Sequence, residues 1–157
     1  MNFNKKVLLL IALVFIASVG IVAAEDATVD PYTFTIPDDY TIATSDDTTC
    51  AMQKDATHAI SFATGVSDDI EAAKQNFISQ GKTLLKEESM NYNDMDITLQ
   101  AFSADVDGTT LYVYNYIMLS SDGNFVVTVT TDDEDFDSDL NSEDNPAKVI
   151  FDTIQTS

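Results

Sequence analysis

MDITLQAFSADVDGTTLYVYNYIMLSSDGNFVVTVTT, residues 95–131, carries the pattern that decides the fold of this chain. Met95 to Val106 places Ile97, Leu99 and Ala101 on one side, the period of two that a half-buried strand requires. Asp107-Gly108 then turns the chain, because these two residues accept the backbone that joins antiparallel strands tightly. Thr110 to Leu119 returns with Leu111, Val113, Ile117 and Leu119 on one face and Tyr112, Tyr114, Tyr116 and Met118 on the other. A second turn, Ser121-Asp122-Gly123-Asn124, leads into Phe125 to Thr131, where Phe125, Val127 and Val129 align. Three consecutive antiparallel strands, side by side in one sheet, follow from this. Asn115 stands alone among apolar alternates and is a bulge, a hydrogen-bonded core group or a surface position.

Upstream, Ser67 or Asp68 can cap a helix, with Asp69 and Glu71 favourable at its positive end. Ile70, Ala73, Phe77, Gly81 and Leu84 recur at helical spacing, which predicts a helix from Asp69 to Glu88 with Gly81 allowing close approach to a sheet. Lys74, Lys82 and Lys86 all fall in that span, making it the least acidic surface. Thr49 to Gln53 and His58 to Thr64 read as a hairpin, and Tyr40-Thr41-Ile42 as a brief strand. Tyr32-Thr33-Phe34-Thr35-Ile36 alternates as a first strand that faces a core through Tyr32, Phe34 and Ile36, and residues 25–31 read as a flexible lead. Downstream, Asp132 to Asp144 is an acidic loop, and Pro146 starts a closing helix with Ala147, Ile150, Phe151 and Ile154 on its apolar side. The sum is a single α+β domain over residues 32–157, an antiparallel sheet with helices packed on it. Both helices are available to one sheet face, which leaves the other to the amino-terminal strands or to water.

This order of elements, together with the opening Tyr32-Thr33-Phe34-Thr35-Ile36-Pro37-Asp38-Asp39-Tyr40, resembles the PsbP-like fold family, whose commoner wording is Ile-Pro-x-Gly-Trp or Tyr. Asp39 stands where that family has Gly. The resemblance spans Tyr32 to Ile154 and implies an α-β-α sandwich, with binding or assembly at a membrane or envelope and no shared catalytic residue. The acidic composition also resembles that of small exported proteins of methanogenic archaea.

At the amino terminus, Lys5 and Lys6 precede an apolar run from Val7 to Val22 that closes on Ala23-Ala24, the form of a signal peptide cut after Ala24. The rival reading of residues 1–24 is an uncleaved membrane anchor, since the run approaches the length a bilayer needs. Either way the domain is expected to be secreted or displayed at the cell surface. Seven Lys and no Arg stand against 27 acids, for a net charge of −20. Such a surface excludes nucleic acid as a partner and disfavours direct docking on anionic lipid. Cys50, the one Cys, sits beside Ala51 and Met52 and reads as a core residue. Repulsion among the carboxylates predicts that the melting temperature rises between 10 mM and 500 mM NaCl, whereas a flat profile would show that the charges are already compensated.

The sharpest local signal lies in the acidic loop. Asp133, Asp135, Asp137, Asp139, Asn141 and Asp144 fall at positions 1, 3, 5, 7, 9 and 12 of a calcium loop, with Leu140 at position 8. Ser138 occupies position 6, where Gly makes the sharp turn, and Asp144 is shorter than the usual closing Glu. An ordered Ca2+ site, a diffuse cation cloud and a solvated acidic loop all fit the spacing. Tyr112, Tyr114 and Tyr116 form either a partner-binding stripe or a second packed face. A histidine-based triad is disfavoured, because His58 and Ser61 point to opposite faces of a strand. The function these readings imply is a non-enzymatic surface or envelope protein that binds a protein partner or divalent cations. A carboxylate-based hydrolase or enzyme accessory subunit is the alternative.

Overall fold

A computed structural model describes residues 26–156, so the segment read as a signal peptide or anchor lies outside the described residues. The strands run β1 (Asp26–Val29), β2 (Tyr32–Thr35), β3 (Thr41–Ser45), β4 (Thr49–Asp55) and β5 (His58–Thr64). Helix α1 (Ile70–Ser79) separates these from β6 (Thr83–Tyr92), β7 (Met95–Val106), β8 (Thr109–Met118) and β9 (Phe125–Thr131). Helix α2 (Ala147–Thr153) and the short β10 (Gln155–Thr156) close the chain. Among the described residues, seven strands form one antiparallel sheet in the order β3-β4-β5-β9-β8-β7-β6. A second, three-stranded sheet has the order β1-β2-β10. The residues expected to form a flexible lead instead include β1, because Asp26 to Val29 pairs with Thr35 to Tyr32 and buries Ala27 and Val29.

The meander follows the alternation of its sequence. Leu99 lies opposite Tyr116, Tyr116 opposite Val127, Val127 opposite Phe62 and Phe62 opposite Cys50, an apolar row across five strands. The small sheet and α2 cover this face, adding Tyr32, Phe34, Ala147, Ile150 and Phe151 to the same core. Tyr32 also latches the two sheets together, since its hydroxyl donates to Gly123 O at 2.6 Å. Cys50 is fully buried here, as its neighbours implied.

The opposite face carries α1. Ile70 packs with Ala63, Val66, Ile117 and Val126, and Phe77 packs edge-on against Phe102 at 4.9 Å with Leu84 beside it. The two helices therefore do not share a face, contrary to the expectation above, because the apolar stripe of α1 matches the Val and Ile side of the meander and not its Tyr side. A polar row, Gln100, Asn115, Thr128 and Ser61, crosses this second face. Thr128 donates to Asn115 Oδ1 at 2.8 Å, and Gln100 Nε2 donates to Glu87 Oε2 at 2.8 Å and to Ile70 O. Asn115 is thus a hydrogen-bonded core group, which is how a buried amide avoids its desolvation penalty.

Helix α1 is half its expected length. Gly81, at φ +93°, ends it: Lys82 N–H donates to Phe77 O at 3.2 Å and Gly81 N–H to Ile78 O at 3.1 Å, the two bonds of a glycine-terminated helix. Gly81 serves a turn, and the close approach to a sheet expected of it is absent, since a Cβ there would meet nothing within 4 Å. Its cost on substitution is backbone strain alone, so Gly81→Ala is expected to destabilise by about 1–2 kcal/mol, measured by urea unfolding. A loss near zero would show that the left-handed turn is not held in solution. The residues after it form β6, whose Leu, Lys, Glu and Met favour helix in isolation but pair with β7 through Asn93-Asp94, both at positive φ. Both edge strands are bulged, β3 between Ile42 and Thr44 and β6 between Leu84 and Lys86.

Candidate functional site: an acidic cleft

The acidic loop is a fixed structure that hangs from the core. Tyr116, fully buried, donates its hydroxyl to Ser138 O at 2.9 Å and accepts from Asn145 Nδ2 at 3.0 Å. Asn145 also donates to Asp139 O at 3.3 Å and accepts from Ala147 N–H at 3.0 Å, where α2 begins. Lys86 Nζ reaches Ser138 Oγ at 2.6 Å, so position 6 of the expected calcium loop is an anchor and not a sharp turn. Leu140 is buried, and Phe136 lies 4.8 Å from the ring of Tyr114. Burial, first of all, raises the Tyr116 hydroxyl far above its ordinary pKa and keeps it neutral as a donor.

Three carboxylates of the loop accept from its own backbone. Asp133 Oδ1 accepts from Asp135 N–H at 2.9 Å, Asp137 Oδ1 from Asp139 N–H at 3.0 Å, and Asp139 Oδ1 from Asn141 N–H at 2.9 Å. These are successive Asp turns, each stabilised two residues ahead. The backbone and side-chain amides of Asn141 hold Asp139 below the usual carboxylate range. Among the described residues no three Asp, Glu, His or Cys side chains converge as a metal cage requires, so Asp133, Asp135, Asp137, Asp139, Asn141 and Asp144 are not gathered around one point. Three of the six expected ligands, Asp133, Asp137 and Asp139, spend an oxygen on backbone amides, and Ser138 at the centre of the spacing is buried.

The tyrosine stripe is likewise a packed face. Tyr114 and Tyr116 are buried under the loop and α2, and Tyr112 is half-buried against the same core. Only the edge of Tyr112 is available to a partner, since the strand face that carries all three is the one α2 and the small sheet cover.

What the loop does build is the wall of a cleft of about 380 Å³. Its other walls are the Pro37–Tyr40 turn and the β4–β5 hairpin. Asp38, Asp39, Asp133, Glu143 and Asp144 line it, together with Lys54 and His58, while Pro37, Val129, Phe136, Pro146 and Val149 supply apolar surface. Tyr40 N–H donates to Pro37 O at 3.2 Å, closing a tight turn in which Asp39 has φ 70°. Asp39 thus holds a left-handed conformation that Gly adopts most readily, and the turn presents two adjacent carboxylates to the cleft. Tyr40 is only 6% exposed, and its hydroxyl is not a buried unpaired group. Burial, then the nearby Asp55 and Asp39 carboxylates, push its pKa up to about 12.

His58 sits at the mouth between two carboxylates, Nδ1 at 2.8 Å from Asp55 Oδ1 and Nε2 at 3.6 Å from Asp132 Oδ1. Partial burial works to raise the Asp55 pKa, but hydrogen bonds from Thr57 N–H and from His58 outweigh it and leave Asp55 below its usual value. Ser61 lies on the other face of the sheet, opposite Thr128, and the hydroxyl that meets the imidazole is that of Thr57, 3.1 Å from Nδ1. Sequence reasoning assigned the loop but missed Asp38, Asp39 and Tyr40 as its companions across the cleft. Nothing local links residues a hundred positions apart, although the Pro-Asp-Asp turn signal marked a surface projection.

A second polar cluster ties α2 to the β6–β7 hairpin. Tyr92 donates to Asp152 Oδ1 at 2.6 Å, Lys148 Nζ to Asp152 Oδ2 at 2.9 Å, and Asn93 Nδ2 to Asp152 Oδ1 at 3.1 Å. Burial opposes ionisation of Asp152, yet these three donors together lower its pKa from 3.8. A carboxyl depressed in the folded state stabilises the fold above its unfolded pKa, and that stability is lost as pH falls through the folded value. Unfolding in 0.5 M NaCl is therefore expected to become easier as pH drops below 3.8, and Asp152→Asn is expected to flatten that dependence. An unchanged acid limb in the variant would show that the cluster adds nothing to stability.

No protein-family model matches the chain, and no curated protein matches it. Among the described residues no helix is long and apolar enough to cross a membrane. Three solved structures resemble it in shape. A protein of unknown function, PA94 from Pseudomonas aeruginosa, aligns over 70% of this chain and 83% of its own at 14% identity and a TM-score of 0.46. A crystal structure from Bacteroides thetaiotaomicron aligns over 83% of this chain at 11% identity and a TM-score of 0.56, and this chain spans 47% of its length. The solution structure of cyanobacterial PsbP (CyanoP) from Synechocystis sp. PCC 6803 aligns over 90% of this chain and 96% of its own, at 13% identity and a TM-score of 0.53. At such identity the likeness is one of fold, and it places the chain's α+β architecture with the PsbP-like fold that the opening strand and element order resemble.

Proposed function

We propose that the protein is an exported, non-enzymatic surface or envelope protein, layered α-β-α in the PsbP-like manner, that binds a basic protein partner at its acidic cleft. The observation that carries this reading is the convergence of Asp38, Asp39, Asp133, Glu143 and Asp144 around one concave surface that also carries apolar side chains. A fixed array of like charges attracts a cationic partner strongly, and the rigid loop spares the complex the entropy of ordering it. Divalent ions act on this surface as competing counterions, with calcium and magnesium equivalent. A hydrolase is less well supported: Ser61 lies on the far face of the sheet from His58, and Asp55 shifts downward where a carboxylic general acid needs an upward shift.

Calorimetric titration of the exported protein with a short Lys- and Arg-containing peptide tests the reading. Saturable binding is expected, weaker in 300 mM than in 50 mM NaCl, and weaker again in an Asp133→Asn, Glu143→Gln, Asp144→Asn triple variant. Equal binding of a peptide with Gln at every basic position would sink it. Mass determination of the exported chain checks the cut after Ala24.

A further inference from the structure

We infer that, in the uncut chain, the apolar run Val7–Val22 lies on the strip of the second sheet face that α1 leaves bare, and that a cut after Ala24 uncovers this strip. The inference stands apart from the acidic cleft, so either can fail alone.

The strip crosses β4, β5, β9 and β8 beside α1. Val113 lies opposite Thr130, Thr128 opposite Ser61 and Ser61 opposite Ala51, with Leu111 next along β8 on the same face. None of these six side chains is more than 5% exposed. Helix α1 does not account for this. Its apolar contacts are Ala63, Val66, Ile117 and Val126 through Ile70, and Phe102 through Phe77. Leu111, Val113 and Ala51 belong to no apolar cluster of the described residues, and the small sheet and α2 lie on the other face. Side chains on an open face of an antiparallel sheet stand in water. Burial to this degree requires a cover that residues 26–156 do not supply, and apart from Ser157 the chain that remains is residues 1–25.

The chemistry of the strip fits that cover. None of its six residues is charged, in a protein that carries 27 acids. Thr128 spends its hydroxyl on Asn115 Oδ1 at 2.8 Å, so an apolar cover strands no donor there. A basic partner of the kind suited to the cleft gains nothing from such a surface, whereas Val7–Val22 is apolar and holds no charged residue. Its length suffices as well. Three strand spacings make the strip about 14 Å wide, and about ten helical residues span that distance. The rest of the run, with Ala23, Ala24 and Glu25, extends to about 30 Å, enough to pass the β3 rim and enter β1 at Asp26.

The test uses the full chain, residues 1–157, made in the cytosol so that it stays uncut and kept in buffer without detergent. Benzoylphenylalanine in place of Leu13 is expected, on irradiation, to crosslink within one molecule to peptides from β5, β8 or β9. Crosslinks between copies overturn the inference and give the strip to a second copy. A chain that stays in solution only with lipid or detergent also overturns it and gives the run to a membrane. Thiol labelling reads the cover from the other side. Maleimide is expected to react with the thiol of Ser61→Cys at least tenfold more slowly than with that of Leu85→Cys, a position half exposed on β6. Adding Leu9→Gln, Leu13→Gln and Ile16→Gln is expected to close that gap, while Cys50, fully buried on the opposite face, stays unlabelled and reports that the domain is folded. Equal rates for Ser61→Cys and Leu85→Cys overturn the inference, as does a slow Ser61→Cys rate that the Gln substitutions leave unchanged. The crosslink needs no destabilising change and decides the matter if Cys50 labels.

Discussion

Replacing Phe62 with Ala is expected to remove about 3–5 kcal/mol of folding stability, the largest single effect in the molecule. Phe62 is fully buried at the centre of an aromatic cluster that bridges the two sheets. Its ring stacks on Phe125 at 4.9 Å, tilts against Phe34 at 4.7 Å and meets the edge of Tyr32 at 5.8 Å. Removing it forfeits the transfer free energy of the ring and leaves a hole that strands pinned by hydrogen bonds on both sides cannot close. Domains of this size are stable by only about 5–15 kcal/mol, so the variant should be partly unfolded near 37 °C. Urea unfolding with an unchanged slope measures the loss, with Leu85→Ala, half exposed on β6, as a control expected to stay within about 0.5 kcal/mol of the parent. A Phe62→Ala loss below about 1 kcal/mol would mean that the small sheet is not docked on the large one.

Asn145→Ala is the second large effect, expected at about 2–4 kcal/mol, because the side chain serves several buried groups and its loss leaves them unpaired. Tyr116 loses a donor, Asp139 O loses another, and the N–H of Ala147 loses its acceptor. The Tyr116→Phe change removes one hydroxyl from the same hub and should cost less, near 1–2 kcal/mol. Amide hydrogen exchange separates this effect from a general loss of stability. Protection of Asn141, Ser142 and Ala147 should collapse in Asn145→Ala while that of β7 and β8 follows the global change alone. If the loop keeps its protection, the acidic wall of the cleft is held by something other than Tyr116 and Asn145.

The meander was legible because its strands bury both faces and its turns carry Asp-Gly and Asp-Gly-Asn, so local pattern and tertiary fate agree. The helix was half legible. Ile70 and Phe77 do face a sheet, but Leu84 lies beyond Gly81 and continues the apolar spacing by chance, on a strand whose composition favours helix. Pairing with β7 overrides that preference, and only Gly81 and Asn93-Asp94 announced it. The acidic loop was legible as a loop but not in its chemistry: oxygen spacing reports where carboxylates fall along the chain, while burial of Leu140 and Ser138 decides where they turn. Tyr40 was unreadable as a cleft residue, since its neighbours there come from the hairpin and from the far end of the chain.

The bulges at Ala43 and Leu85 give the large sheet two interrupted rims. A strand that would add to either rim meets a break in the row of unpaired amides, and on β6 it also meets Lys86, Glu87 and Glu88. Polymerisation through edge pairing, the hazard of any open sheet present at high density, is thereby blocked at both ends without a covering element. Copies crowded together should remain separate molecules, each with its cleft free, and shared architecture should not become a shared fibre.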